Sequence, residues 1–191
     1  QVDVYQFDED MMKAILPAYF IIANCEATSN DSNLDGIRFG VREPGEDMAE
    51  IMTNSRTKGF GPLIRRRFVI GSYGLFEENQ ERVFRKAQKV RRVVVNAMNE
   101  CLKDYDAIAA PASGNIAPLI ESSTDQDQLS SDYMISENYM AMANFSGYPS
   151  MTVPMCFEDK CPIGINITCR AWDEAGMFDI GKAIEEVTGY K

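Results

Sequence analysis

The chain has 191 residues, 45% of them hydrophobic and 25% charged, with a net charge of −10. This composition suits one domain or a large piece of one, and it excludes a chain disordered through its bulk. No run approaches the ~18 apolar residues of a membrane helix, and a surface this acidic repels a phosphate backbone, so direct nucleic-acid binding by this piece is not expected.

Gln1-Val2-Asp3-Val4 has neither the basic nor the apolar region of a signal peptide. There is no initiator Met, so Gln1 reads as an internal position of a longer gene product. Residues 2–6 alternate with the period of a short strand. From Glu9 to about Ser29 the chain is rich in Met, Ala, Leu and Ile and reads as helix. Pro17 either opens the main helix there or kinks it. Residues 30–45 read as a loop containing the Asp35-Gly36 turn signal.

Residues 46–58 read as a helix closed by Gly59. Gly61-Pro62 opens another that runs to about Tyr73. The longest helix is expected over 77–104. Val83, Ala87, Val90, Val94, Ala97, Met98 and Cys101 form its apolar stripe, with Arg82, Arg85, Lys86, Lys89, Arg91 and Arg92 mostly on the solvent side. Residues 107–110 read as a buried strand and 113–132 as a mobile loop. A helix follows over 133–145, then strands over 150–156 and 163–169 around Glu158-Asp159-Lys160. The last helix covers 177–187, with Gly189 past its end. The class is α/β, with helices covering a mixed sheet, in a single piece over 1–191.

Chemistry is sparse. The chain has no histidine, which excludes a Ser-His-Asp triad, a Cys-His dyad and a His-based metal site within it. Its five cysteines (Cys25, Cys101, Cys156, Cys161 and Cys169) have irregular spacing and no C-x-x-C, and read as buried or semi-buried thiols of a reduced cytosolic protein. Ser122-Ser123 and Ser130-Ser131 lack flanking glycines and read as loop serines. Arg65, Arg66 and Arg67 point about 100° apart on a helix, so one can face inward and would then need a carboxylate partner. By spacing alone, surface charge is the better reading of that cluster. Glu137 likewise reads as a solvated helix carboxylate, and Tyr19 as core.

Several blocks together carry a resemblance. They are Leu16-Pro17-Ala18-Tyr19-Phe20-Ile21-Ile22-Ala23, Glu26-Ala27-Thr28-Ser29-Asn30, Asp35-Gly36-Ile37-Arg38-Phe39-Gly40 and Gly59-Phe60-Gly61-Pro62 with Arg66-Arg67. Further on come Lys86-Ala87-Gln88-Lys89-Val90-Arg91-Arg92, Tyr105-Asp106-Ala107-Ile108, Ala143-Asn144-Phe145-Ser146-Gly147-Tyr148-Pro149 and Pro162-Ile163-Gly164-Ile165-Asn166. The series resembles the C-terminal part of the amidase-signature family, and within it the A subunits of glutamyl-tRNA(Gln) amidotransferases.

The resemblance implies a mixed sheet completed by N-terminal strands, so one sheet edge should stand open in this piece. It implies that the catalytic Ser-Ser-Lys set lies upstream, leaving no catalytic residue here. The whole enzyme would hydrolyse glutamine, and the ammonia would serve ATP-dependent conversion of Glu-tRNA(Gln) to Gln-tRNA(Gln). The implied partners are glutamine, a tRNA-binding B subunit that uses ATP and Mg2+, and a small C subunit, in the cytoplasm. No cofactor, metal or membrane is implied for this chain. Arg67 matches the family's arginine for the glutamine carboxylate, where a planar fork suits bidentate contact. Tyr19 matches an aromatic pocket position. Glu137 stands where the family has an Asp facing the substrate ammonium, and it reaches one methylene further. A general amidase without tRNA function and a non-catalytic interaction module are the alternatives.

Overall fold

The computed structural model describes residues 1–114, 116–117 and 131–190. Helix α1 spans Glu9–Asn30 with Pro17 inside it. A 3-10 turn at Asp31–Asn33 follows, then α2 (Met48–Gly59) and α3 (Pro62–Leu75). A short α4 (Glu77–Gln80) leads through a π turn (Glu81–Arg85) into α5 (Lys86–Asp104). Strand β1 (Ala107–Pro111), α6 (Ser131–Ser146), β2 (Ser150–Glu158), β3 (Cys161–Cys169) and α7 (Glu174–Thr188) complete the order. The chain forms two compact units, one of residues 1–17 with 90–191 and one of residues 18–89.

In the first unit the sheet order is β1-β3-β2, antiparallel throughout. The β2–β3 hairpin closes through Asp159-Lys160, both at positive φ (47° and 66°). That pair of conformations matches the twist of the flanking strands. Pro154 brings no N–H to the ladder, and the register shifts between Pro154 and Cys156. Helix α7 lies on this sheet. Val153, Ile167, Cys169 and Met177 form the core beneath it, with Met151, Ile165, Ile180 and Ile184 packed around them. Gly189 ends α7 at φ 73°, and its N–H caps the Glu185 carbonyl.

Three expectations need correction. Residues 2–6 form no strand, and Val2 and Val4 are 95% and 98% exposed. Alternation makes a strand only where a ladder partner exists; here Tyr5 instead packs at a tilt against Phe7 and meets Tyr105 edge-on. Strand β1 forms where expected but is not buried: Ala109 and Pro111 are exposed. Among the described residues it pairs only with β3, so it is an edge. The helix expected over 77–104 contains a π turn, whose extra residue shifts the phase of its apolar stripe. Ala87, Val94, Met98 and Cys101 are still buried, while Val83 and Val90 are half-buried. The loop expected over 113–132 lies largely outside the described residues.

Local capping explains where α2 begins. The Asp47 carboxylate accepts from Glu50 N (2.8 Å), and Glu50 Oε2 accepts from Glu46 N (2.8 Å). Asp47→Ala should cost about 1 kcal/mol, the usual worth of such a cap. Urea denaturation measures it, and an unmoved midpoint would show the cap to be idle.

Candidate functional site

The second unit carries two of the three candidate residues. Its frame is a close crossing of α1 on α3. Thr28 Oγ1 donates to Asn24 O (2.8 Å) and also meets Phe68 O (3.4 Å), and Cys25 Sγ donates to Gly71 O (3.5 Å). Gly71 and Gly74 are buried, and a side chain at either would run into α1. Asn24 and Thr28 face Gly71, Cys25 faces Gly74 and Thr28 faces Phe68, so the two helices run antiparallel.

This pairing fixes where the candidates stand. Arg67 is on the first half of α3, next to Phe68, whose carbonyl meets Thr28; Tyr19 is on α1, nine residues before Thr28. Tyr19 is half-buried and Arg67 exposed. Arg65, Arg66 and Arg67 are all exposed, so none turns inward. Among the described residues no ion pair engages Arg67. Glu137 falls on α6, in the other unit, and its side chain lies outside the described residues. Ser122, Ser123 and Ser130 also lie outside them.

The Asp35-Gly36 turn is built as a small electrostatic knot. Asp35 is buried, and its Oδ1 accepts from Ile37 N and Arg38 N, both at 2.9 Å, while its Oδ2 takes Arg38 Nε at 3.1 Å. The backbone N–H groups of Arg38 and Ile37, aided by the Arg38 guanidinium, hold its carboxyl down to about 2. Gly36 sits at φ 75°, and a side chain there would strike Ser55. Ser55 in turn accepts Glu43 N at 2.9 Å, tying the loop to α2.

Because the Asp35 value lies below its ordinary 3.8, ionisation favours the fold at every pH above about 4. That contribution drains as pH falls from about 4 to about 2. The stability gap between wild type and Asp35→Asn should therefore shrink over that window in acid titrations of the unfolding midpoint. A gap constant from pH 6 to 2 would contradict the assignment.

Sequence reading missed Arg56. It donates to Asp31 O (2.8 Å) and Leu34 O (3.0 Å) and lies over the Phe60 and Phe68 rings at 5.0 and 5.3 Å. It thereby ties the segment after α1 to α2 and α3. The available signal was the spacing of four between Arg56 on α2 and Phe60 just past its end. Arg91 is exposed, as expected of the solvent side, and its Nε also donates to Phe145 O at 2.8 Å.

The first unit carries an open groove of about 1260 Å³ along the free edge of β1, bordered by Tyr5, Phe7, Tyr105, Tyr139 and Ile184. Among the described residues no group of three His, Cys, Asp or Glu is placed to hold a metal ion, and no helix is long and apolar enough to cross a membrane.

The chain is helix-rich with a small sheet, and its residues 1–178 match the amidase family. The chain belongs to that family. It is 35% identical over 93% of its length to the A subunit of the glutamyl-tRNA(Gln) amidotransferase of Nitrobacter winogradskyi, covering 36% of that protein. Against the same subunit of Acinetobacter baumannii it is 33% identical over 97% of its length, covering 37%. The chain thus spans about a third of the curated relatives it matches. The crystal structure of the corresponding Thermotoga maritima subunit superposes with a TM-score of 0.54 at 27% identity, over 98% of this chain and 41% of that one. A bacterial aryl acylamidase superposes at 0.66 over 94% of this chain and 34% of its own; its 16% identity speaks for the fold alone.

Proposed function

We propose that this chain is the C-terminal portion of the glutaminase subunit of a tRNA-dependent amidotransferase. The observation that carries this reading is the identity of 33–35% over nearly the whole chain to the A subunits of several bacteria. In this reading the enzyme releases ammonia from glutamine for ATP-dependent conversion of Glu-tRNA(Gln) to Gln-tRNA(Gln) in the cytoplasm. The B subunit holds the tRNA and uses ATP and Mg2+, and the small C subunit joins both. The Ser-Ser-Lys set belongs to the segment upstream, and this piece supplies glutamine recognition.

Glutamine carries an α-carboxylate and an α-ammonium, so selectivity over a simple amide needs a cation and an anion on opposite sides of the pocket. Arg67 is the cation and Glu137 the anion, with Tyr19 on the pocket wall. The exposure of Arg67 and its freedom from ion pairs among the described residues support the role, because the fork is available to a ligand. The net charge of −10 argues against tRNA contact by this piece. A general amidase is the second reading, motivated by the shared fold, and it needs no zwitterion clamp.

Ammonia release from glutamine and from acetamide by the complete enzyme separates the two. Preference for glutamine supports the glutaminase reading, and preference for acetamide moves the function to a general amidase. The 191-residue chain alone should release no ammonia from either.

A further inference from the structure

The five thiols fall into two classes. Cys25, Cys101 and Cys169 are buried, at 2%, 2% and 0% exposure. Burial pushes all three up from the ordinary thiol value and keeps them protonated. Cys156 and Cys161 are half-buried and free, on the two strands of the β2–β3 hairpin. The ladder sets Cys156 opposite Ile163 and Glu158 opposite Cys161. Positions two apart on a strand share a face, so both cysteines stand on the same face as diagonal neighbours. The tight turn at Asp159-Lys160 holds that register, and Pro162 confines Cys161 to extended backbone.

Spacing decides which chemistry fits. Diagonal neighbours have Cα atoms roughly 7–8 Å apart, whereas a relaxed disulfide takes no more than about 6.8 Å. A direct sulfur–sulfur bond therefore requires the hairpin to deform. A bridging atom inserts two bonds of roughly 2.3 Å, so the sulfurs stand well beyond the ~2.05 Å of a disulfide, and up to about 4.6 Å where the two bonds are collinear. We propose that Cys156 and Cys161 form a two-thiolate site for a soft, thiophilic ion of the kind typified by trivalent arsenic and Cu(I). Thiolates select such ions over hard ones. The ion staples the two strands beside the Asp159-Lys160 turn, and the site is independent of glutamine chemistry.

Phenylarsine oxide is the probe. Its arsenic–oxygen bond is exchanged for two arsenic–sulfur bonds, and the two thiol protons leave with the oxygen as one water. Arsenic stays trivalent, so no oxidant is needed. Intact-mass analysis of the folded chain should show one adduct, and thiol titration should show two thiols lost. Peptide mapping should place both at Cys156 and Cys161. Cys156→Ser and Cys161→Ser should each weaken binding at least tenfold, and the adduct should raise the unfolding midpoint of wild type but of neither variant. No adduct, an adduct spread over the other cysteines, or single-serine variants that bind as tightly as wild type would each overturn the site.

Discussion

Arg67→Ala in the complete enzyme should lower kcat/KM for glutamine by about 10²–10³-fold, or about 3–4 kcal/mol. Two magnitudes bracket this expectation. A solvent-exposed ion pair is worth at most about 1 kcal/mol, less than tenfold. Truncating one partner of a closed, hydrogen-bonded charge pair costs about 2–5 kcal/mol, because the other charge is left without its match. In the isolated chain Arg67 is exposed, so the larger figure requires the complete enzyme to close over it. Arg67→Lys keeps the charge and loses the fork, and should fall between wild type and Arg67→Ala. Turnover of acetamide, which has no carboxylate, should be unchanged in both. A loss under threefold for glutamine would return Arg67 to the surface-charge reading that its spacing alone suggests.

That contrast marks how far the sequence was legible. Local signals read well. Gly61-Pro62 opens α3 and Gly189 ends α7, because each depends on the φ preference of one residue, and the polar break at Asp159-Lys160 turns the hairpin. Signals that depend on a distant partner read poorly. Among the described residues, the alternation at residues 2–6 pairs with no strand. The apolar run at 107–110 does not say whether a second neighbour covers its edge. The Asp35-Gly36 turn was visible, but the burial of Asp35 was not, since Ser55 of α2 lies against Gly36 and accepts Glu43 N from twelve positions away. Three adjacent arginines carry no mark of which one meets a ligand. Arg67 stands out only by its place in a family pattern, as do Tyr19 and Glu137. That Asn24 and Thr28 of α1 meet Gly71 of α3 is revealed by no spacing along the chain.

The same helix pair carries the largest expected loss of stability. Gly71→Ala should destabilise the second unit by about 3 kcal/mol, at the upper end of overpacking costs. An added Cβ would lie 2.1 Å from Asn24 O and 2.1 Å from Thr28 Oγ1. The Thr28 hydroxyl can rotate away, but Asn24 O is backbone inside α1 and cannot. Relief therefore means parting the two helices, which breaks the Cys25 contact to Gly71 O and the Thr28 contact to Phe68 O. Against this, alanine is about 1 kcal/mol better than glycine in a helix interior, so the clash must exceed that gain for the sign to hold. Gly59→Ala is the control. It ends α2 with nothing within 4 Å of an added Cβ, and should be neutral or stabilising by up to about 1 kcal/mol. Chemical denaturation of both variants decides it. If Gly71→Ala matches Gly59→Ala, the helices are not in contact at Gly71. If only Gly71→Ala unfolds early, the crossing that positions Arg67 and Tyr19 depends on a residue with no side chain.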